Sequence, residues 1–500
     1  MAIPATRPNT PAGGPGPTEA GDGPARPAKG LLPGLALGYF MVLMDTTVVT
    51  VALPDIGHGL HAGLGSLQWV SNGYTLTFAA FLLTAGALSD RFGGRRILLV
   101  GLWTFGLVSG ASALAGSVEL LVAARALLGV SGALLLPSSL AVIAHSFPDP
   151  AARARALGGW AAITGAALAA GPLVGGVLTD SLGWRAVFLV NVPLALVSIA
   201  ITAKGAAETG RTPARGLDLP GQASAIVALG ALTFGLVQAG GAGWTAPEVL
   251  GSFALFAVAA GVFVAVERRV AAGGRTPMLP PKLFRGSAFT AALFAGLLVN
   301  FALSGVLFTL SLLFQQGRGY SALLAGLAFL PLTLPTVVNP VFTGRLVARI
   351  GPRAPATAGF ALMGAGTLVQ AGTTSGSAAS VVAGSLGLLL LGFGISYALP
   401  SLVVAVMGAV PRELSGVASG ALNSARQTGA VVGVAVLGAI LNGASSVEAG
   451  TRVGAVVSGV LLLTGSVVVR AFLGRERQET ARPRPPGSRT ARGHGPARPS

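Results

Sequence analysis

The sequence lacks cysteine and is poor in charge. Only 10% of its 500 residues are charged, whereas soluble domains average about 25%. The absence of cysteine excludes disulfides, thiol catalysis and cysteine-ligated metals. The four histidines form no cluster with metal-ligand spacing, and neither a Ser/His/Asp arrangement nor a Gly-rich nucleotide loop stands in a suitable context. We therefore expect neither an enzyme nor an ATP-driven pump, and no metal or other cofactor.

The sequence contains many long apolar runs. The chain is 52% hydrophobic, with a mean hydropathy of +0.74, and helical runs of about 20 apolar residues can cross the hydrocarbon core of a bilayer. Fourteen runs are of this kind: 31–53, 68–89, 97–116, 120–143, 156–178, 186–203, 221–239, 249–266, 287–313, 323–344, 356–373, 379–409, 416–441 and 453–472. The sequence therefore predicts an all-α polytopic membrane protein with fourteen transmembrane helices in the lipid bilayer.

The basic residues that give the net charge of +17 are placed along the chain as in membrane proteins. Basic residues concentrate in alternate loops and in two Pro- and Gly-rich tails, and with an even number of spans this pattern predicts that both termini are cytoplasmic. No folded basic domain with aromatic or motif support is visible, so nucleic acid is not an expected partner. Thirty arginines against three lysines favour a GC-rich bacterial genome, and hence the bacterial cell (inner) membrane.

An internal repeat organises the predicted helices. Residues 86–95 (GALSDRFGGR) and 344–353 (GRLVARIGPR) share the pattern G-x-L-x-x-R-x-G-x-R at an offset of 258. Because the first copy follows helix 2 and the second follows helix 10, two extra helices must separate two six-helix halves. Repeated halves around a substrate site near the midplane are typical of secondary transporters.

The repeat predicts five regions. They are a disordered cytoplasmic tail at 1–29, a six-helix half at 30–204, cytoplasmic linkers with two extra helices at 205–285, a second six-helix half at 286–473, and a disordered basic tail at 474–500.

Two stretches carry a resemblance to a known family. GALSDRFGGRR at 86–96 resembles the loop 2–3 motif of the major facilitator superfamily, and GAALAAGPLVGG at 165–176 resembles its helix 5 antiporter motif. Three further stretches, at 43–54, 184–193 and 416–433, are similar to patterns of the 14-spanner drug:proton antiporters. The resemblance implies that helices 7 and 8 are the two extra ones and that the protein exports drugs in exchange for protons.

One acid interrupts the first apolar run. Asp45 lies in LMDTTVVTVALP, about eight residues before Pro54, and a charge near the bilayer centre costs about 2.5–3.5 kcal/mol on insertion scales. Of the sixteen acidic residues, we place only Asp45 deep within a span. Arg125 lies at a similar depth in helix 4, and the resemblance implies that helices 1 and 4 both line the cavity. We expect the two residues to couple transport to protons; the alternative is a salt bridge that only joins two helices. The family pattern has Gln before the following glycine, where this chain has Leu128.

The loop at 86–96 is interpreted as a conformational gate. Gly86 and Gly93 permit close approach and a sharp turn, and Asp90 can bind a helix N-terminus or a basic side chain. Arg91 and Arg95 complete the predicted gating set. A loop that only sets topology would explain the arginines but not the spaced glycines. The second copy has Ala348 in place of Asp90.

The stretch at 165–176 is a small-residue face with one proline. Gly165, Gly171, Pro172, Gly175 and Gly176 permit close helix packing and a kink. The resemblance implies antiport, whereas generic packing is the alternative in a chain with 74 glycines.

Deep polar residues are the candidates for a substrate cavity. These are Tyr74, Asn300, Tyr397, Asn423 and Arg426, each of which could instead serve helix packing. A cationic substrate would suit Asp45, an anionic one would suit Arg125 or Arg426, and a neutral one fits both.

The predicted function is that of a monomeric, proton-coupled exporter of small amphipathic organic compounds, an antibiotic or multidrug efflux pump that works by alternating access. The alternatives are an exporter of an endogenous metabolite, siderophore or lipid precursor, or a receptor or assembly subunit on the same fold that transports nothing.

Overall fold

The computed structural model describes residues 30–210, 218–273, 277–411 and 414–473. The two predicted tails, at 1–29 and 474–500, lie outside the described residues, as do parts of the predicted linkers. Over the described ranges the chain is helical and contains no strand.

The described residues fold into fourteen helical units, which we number α1 to α14. They are α1 (Leu31–Leu60), α2 (Leu64–Phe92), α3 (Gly94–Ala113), α4 (Val118–Ser146), α5 (Pro150–Leu182), α6 (Ala186–Gly205), α7 (Leu219–Ala242), α8 (Pro247–Ala272), α9 (Ser287–Gly317), α10 (Ala322–Ala328 and Leu330–Ile350, bent by 45°), α11 (Arg353–Gly372), α12 (Ala378–Gly408), α13 (Ser415–Asn442) and α14 (Val447–Phe472). Each overlaps one predicted apolar run. Eleven of them are long and apolar enough to cross a membrane, or twelve if the bent α10 is one span. The more polar α2 and α11 are not among these, so the predicted fourteen spans stay a prediction.

The outer surface of the bundle is apolar. Leu107 on α3, Val258 on α8 and Val467 on α14 each expose about two-thirds of their surface. Large apolar side chains remain exposed on this scale only where the surroundings are themselves apolar. The chain is a multi-pass membrane protein.

Helix ends follow local sequence signals. Ser117, Ser321 and Ser446 each accept a hydrogen bond from the backbone N–H three residues later, which caps α4, α10 and α14. Gly93 and Gly351 end α2 and α10 with φ of +98° and +78°, in the left-handed region that favours glycine. These two glycines are equivalent positions of the sequence repeat, so the repeat encodes the same helix ending twice.

The two halves repeat one packing scheme. In the first half α1 packs on α5 and α6, α2 on α4, and α3 on α4 and α6. In the second half the equivalent pairs pack in the same way: α9 on α13 and α14, α10 on α12, and α11 on α12 and α14. Each half has its own apolar core, with only a few side chains contributed by the other. The halves meet where α2 packs on α13, α5 on α10 and α1 on α9.

The two extra helices form a hairpin beside this bundle. α8 packs mainly on α7, and α7 packs on both α2 and α13. Gln222 of α7 donates to the carbonyl oxygen of Ala80 in α2 at 2.9 Å, and Gly240 at its other end lies against Ala439 of α13. The hairpin therefore spans the line along which the two halves meet.

One helix is longer than its apolar run. α1 continues through Pro54 to Leu60, whereas the apolar run ends at residue 53. With this extension, Asp45 lies at the middle of α1.

Candidate functional site

Asp45 and Arg125 form an ion pair inside the first half. The Asp45 carboxylate is fully buried and Arg125 is 1% exposed. The Arg125 Nη1 donates to one carboxylate oxygen, so the ion pair joins α1 to α4. Because a lone charge in this apolar interior would be costly, each residue stabilises the other in its charged form.

Arg125 has two further partners on α2. Its Nε donates to the carbonyl oxygen of Val70 at 3.0 Å, and its guanidinium carbon lies 4.4 Å from the centre of the Tyr74 ring. The Tyr74 hydroxyl donates to the carbonyl oxygen of Val42 in α1 at 3.1 Å. Tyr74 is thus buried within the ion-pair cluster. The sequence made it a candidate for the lining of an open cavity, which is not where it lies.

A second partner of Asp45 was missed from the sequence. Asn191 of α6 donates from Nδ2 to the second carboxylate oxygen at 3.0 Å and to Ser109 Oγ at 3.1 Å, while the Asn191 Oδ1 is buried without a partner. The signal was present, because Asn191 is the one amide in WRAVFLVNVP, the stretch at 184–193. A single asparagine near a helix end gave no reason to place it against Asp45.

The small residues of α5 pack against the segment that carries Asp45. A side chain at Gly171 would collide with Thr47, and one at Gly175 would lie 2.7 Å from the carbonyl oxygen of Val48. Pro172 contacts the second half, because its carbonyl oxygen would lie 2.3 Å from a side chain at Gly326. Gly165 belongs to the same helix, one to two turns earlier.

This face continues across the boundary between the halves. A side chain at Gly176 would lie 2.6 Å from the carbonyl oxygen of Ala322 in α10. One turn later the Asp180 carboxylate accepts the backbone N–H groups of Ala322 and Leu323, at 2.9 and 3.0 Å, at the start of α10. We call this end of the bundle the Asp180 end and the opposite one the Asp90 end.

The halves are closed at the Asp180 end. In addition to the contacts of Asp180, Ser311 Oγ donates to the carbonyl oxygen of Thr50 at 2.8 Å. Gln315 donates to the carbonyl oxygen of Val51 at 2.9 Å, which joins α9 to α1 a second time. Gln68 and Asn72 of α2, also at this end, are buried and retain polar atoms without partners.

At the Asp90 end the halves enclose a cavity of about 330 Å³. Residues of α2 and α4 line one wall, α13 lines the other, and the segments on either side of the α7–α8 hairpin close its rim. Gly86, Asp90 and Asn423 are among the lining residues. Two residues of the predicted gate therefore face the space between the halves.

The rest of the predicted gate contacts its own half. The Arg95 backbone N–H donates to the Glu208 carboxylate at 3.1 Å, and the Arg95 Nη2 donates to the carbonyl oxygen of Ala203 at 2.8 Å. A side chain at Gly93 would collide with Glu208. Arg91 is exposed, with its guanidinium carbon 5.4 Å from the centre of the Phe92 ring.

Three of the remaining candidates meet in the second half. Arg426 of α13 donates from Nε to Asn300 Oδ1 of α9 and from Nη1 to Asn423 Oδ1, both at 3.3 Å. Asn300 also donates to Gln427 at 3.4 Å. Tyr397 lies on α12 with its Cβ near Gly359 of α11, and the hydrogen bonds that join the other three do not include it.

A second acid is buried, near the end of α8. Glu267 lies within α8 and is 2% exposed. Its Oε2 accepts the backbone N–H of Leu279 at 2.8 Å, while its Oε1 is buried without a partner. Its burial depends on the chain after α8 folding back over it, which the local sequence ERRVAAGG did not indicate.

Two repeated six-helix halves that meet along a central seam, together with the family that the chain matches, define a multi-pass membrane transporter rather than an enzyme. The chain belongs to the Major Facilitator Superfamily, whose profile matches residues 35–434. This confirms the family inferred from the sequence motifs. No group of three His, Asp or Glu side chains that could hold a metal occurs in the described part of the chain.

Several relatives carry names that refer to drug resistance. A methylenomycin A resistance protein of Streptomyces coelicolor is 37% identical over 447 residues, which cover 89% of this chain and 93% of that protein. A tetracenomycin C resistance and export protein of Streptomyces glaucescens is 35% identical over 85% of this chain and 80% of its own length. The multidrug resistance protein Stp of Mycobacterium tuberculosis is 36% identical over 81% and 74%.

Solved structures of distant transporters share the fold. The human organic anion transporter MFSD10 (TETRAN) superposes with a TM-score of 0.60 at 18% identity, over 88% of this chain and 98% of that one. The nucleoside transporter NupG gives a TM-score of 0.60 at 10% identity, over 88% and 99%.

Proposed function

We propose that this protein exports amphipathic organic compounds, antibiotics among them, in exchange for protons. It does so as a monomer in the bacterial cell (inner) membrane, with fourteen spans and both termini in the cytoplasm. Its relatives are named for resistance to methylenomycin A, to tetracenomycin C and to multiple drugs, which makes the first two compounds the natural first substrates to test.

The observation that carries the proton coupling is the buried pair of Asp45 and Arg125. A carboxylate at the middle of a membrane helix can be reached by water only when the surrounding helices separate, and such residues in transporters mark proton relays. Protonation of Asp45 would cancel its attraction to Arg125 and leave the bonds from Asn191 as its remaining contacts. The proton would thereby loosen the junction of α1, α4 and α6, which supports a switch in the packing of the first half.

The small-residue face of α5 links this junction to the contact between the halves at the Asp180 end. Gly171 and Gly175 hold α5 against the segment of α1 around Asp45, while Gly176 and Asp180 of the same helix hold the second half. A shift of α1 on protonation would therefore act directly on the contact that closes the Asp180 end. With the Asp90 end in the cytoplasm, the arrangement in which α5 binds α10 would be the one in which substrate is loaded.

The test is substrate-induced proton release in everted membrane vesicles. Native protein, Asp45→Asn and the control Glu248→Gln are compared at equal expression, with methylenomycin A and tetracenomycin C as substrates. Glu248 is an exposed acid in the first turn of α8, so its replacement removes one carboxylate and leaves the ion pair intact. We expect native protein and the control to release protons on substrate addition and Asp45→Asn to release none. Exchange that persists in Asp45→Asn would refute coupling through Asp45, and transport without any proton movement would refute antiport.

A further inference from the structure

Arg426 is a positive charge in the middle of the bundle without a counter-charge. It lies near the centre of α13, and the two side chains it binds in the second half, Asn300 and Asn423, are neutral amides. No carboxylate in the described ranges comes within 4.0 Å of its guanidinium. The charge of Arg125, by contrast, is balanced by the carboxylate of Asp45. Burying an arginine charge at this depth without a counter-charge costs free energy, and an anionic partner lowers that cost.

The amides do not neutralise Arg426, but they do orient it. Both hydrogen bonds are long, at 3.3 Å, and engage one Nε–H and one Nη1–H of the five N–H groups. Arg426 retains partial exposure, as do Asn423 and Gln427 beside it. Donors therefore remain for a ligand oxygen in the space between the halves. A planar guanidinium fits carboxylate and sulfonate groups, to which it can donate two parallel bonds.

An aromatic pair faces this charge from the first half. The rings of Tyr39 on α1 and Trp160 on α5 stack with centres 5.1 Å apart and planes 11° from parallel. Tyr39 lies close enough to Arg426 for the two side chains to interact electrostatically. Arg426 in one half and this pair in the other thus place a charged group and aromatic rings on the two sides of the boundary between the halves.

We propose that Arg426 is the substrate-charge selector of this transporter: the central site binds an amphipathic organic anion, whose acidic group pairs with Arg426 while its ring system packs on Tyr39 and Trp160. This inference rests on the proposed export function and adds the charge of the substrate to it. The cavity at the Asp90 end supplies access, because it is lined by Asn423, which binds Arg426 directly. A ligand held by Arg426 and the aromatic pair would contact both halves, as a substrate must if it is to bias their motion.

The test compares two probes that differ by one acidic group. Anilinonaphthalene sulfonate is an anion with two aromatic ring systems, and phenylnaphthylamine is the same skeleton without the sulfonate. Binding of each is measured by fluorescence titration on purified full-length protein in nanodiscs, with empty nanodiscs subtracted. The proteins are native, Arg426→Gln, Arg426→Lys and Arg452→Gln. Arg452 is an exposed arginine of α14 that donates to Thr374, so it controls for the loss of any arginine.

We expect the native protein and Arg452→Gln to bind the sulfonate at least about tenfold more tightly than the neutral probe, as a charge-assisted pair allows. Arg426→Gln should lose this preference and change its affinity for the neutral probe by less than about twofold, which also shows that the variant is folded. Arg426→Lys should retain part of the preference because it keeps the charge and loses the paired donors.

Equal binding of the two probes by native protein would overturn the inference, and so would a sulfonate preference that survives Arg426→Gln. Absence of saturable binding of both probes would overturn it as well. None of these results bears on proton exchange in vesicles, where the proposed function is tested independently. Conversely, an anion preference set by Arg426 would stand even if transport were not coupled to protons.

Discussion

Asn191 and Arg125 hold the Asp45 carboxylate between them, one oxygen each, with Asn191 Nδ2 at 3.0 Å from its oxygen. The two donors differ in kind. The charge of Arg125 attracts only the ionised carboxylate, whereas the amide of Asn191 can donate to an acid oxygen in either protonation state. If Asp45 gains and loses a proton during transport, as proposed, Asn191 would keep its side chain in place in both states.

Replacement of Asn191 should uncouple export while the protein stays folded. Asn191→Leu has similar volume and removes the neutral donor, so Asp45 is left with Arg125 alone. We expect substrate-induced proton release to fall by about tenfold or more, the equivalent of a hydrogen bond to a charged group. Ser109→Ala is the matched control, because Ser109 contacts Asn191 and not Asp45. Equal losses in the two variants would show that the whole cluster, and not the bond to Asp45, is required.

The ion pair should show a large coupling energy. Asp45→Asn and Arg125→Gln each leave one charge buried without its partner, which costs about 3–5 kcal/mol, whereas the double variant leaves none. In a double-mutant cycle on thermal unfolding in detergent, we expect the double variant to be more stable than the sum of the single losses by about 1–3 kcal/mol. Additive losses would mean that the two charges do not depend on each other. The double variant should fold and yet release no protons.

The contact of α5 with α10 should be sensitive to a single methyl group. In Gly176→Ala the new side chain would lie 2.6 Å from a backbone oxygen of α10, so the Asp180 end can no longer close fully. We expect lower export and faster maleimide labelling of Ser311→Cys, a residue buried in the closed seam. The native chain has no cysteine, so the label reports that position alone. Gly158→Ala on the same helix meets nothing within 4 Å and should leave both quantities unchanged.

The repeated helix ending should carry a measurable conformational cost. Gly351 has φ +78° and ψ 172° with nothing near its absent side chain, so Gly351→Ala tests backbone strain by itself. We expect a loss of about 1–3 kcal/mol in thermal unfolding, the cost of forcing a side chain into this region. Gly344→Ala, inside α10 and equally open, should cost nothing or be slightly stabilising. If the two variants unfolded alike, the turn at Gly351 would not constrain the fold.

The membrane orientation can be tested with two single cysteines. Thr245 lies in the α7–α8 connection at the Asp180 end, and Lys282 lies after α8 at the Asp90 end; both are exposed. With both termini in the cytoplasm, an impermeant maleimide added to whole cells should label Thr245→Cys and not Lys282→Cys. Permeabilised cells should label both. The reverse pattern would invert the topology, and labelling of both in intact cells would rule out a fixed orientation.

The positions of the helices could be predicted because a bilayer imposes their length. Every apolar run of the sequence lies within or overlaps one helical unit, since backbone polar groups must be satisfied inside each span. The ends were less well predicted, because helices run on into partly polar segments. α1 passes Pro54 and ends at Leu60, where no apolar run continues, and packing rather than hydropathy holds that last turn and a half.

The site could be predicted only where charge made a residue stand out. Asp45 and Arg125 are conspicuous because charges are rare in apolar runs, and their equal depth already suggested contact. Asn191 and Trp160 were not identified, because a single amide or indole is common in membrane helices and its role depends on what faces it. The asymmetry between a paired Arg125 and an Arg426 without a carboxylate is likewise a property of the assembled bundle.

The α7–α8 hairpin has a consequence for compounds dissolved in the membrane. Transporters built from two halves have two lateral seams facing lipid, here α2 with α13 and α5 with α10. α7 packs on both sides of the first seam, through Gln222 and Gly240, whereas no second hairpin packs on α5 and α10 in the described chain. A lipophilic molecule arriving from within the bilayer would therefore meet the α7–α8 hairpin at one seam and would contact α5 and α10 directly at the other. The extra helices thus cover one of the two lipid-facing seams and leave the other uncovered, although the two halves are otherwise nearly equivalent in packing.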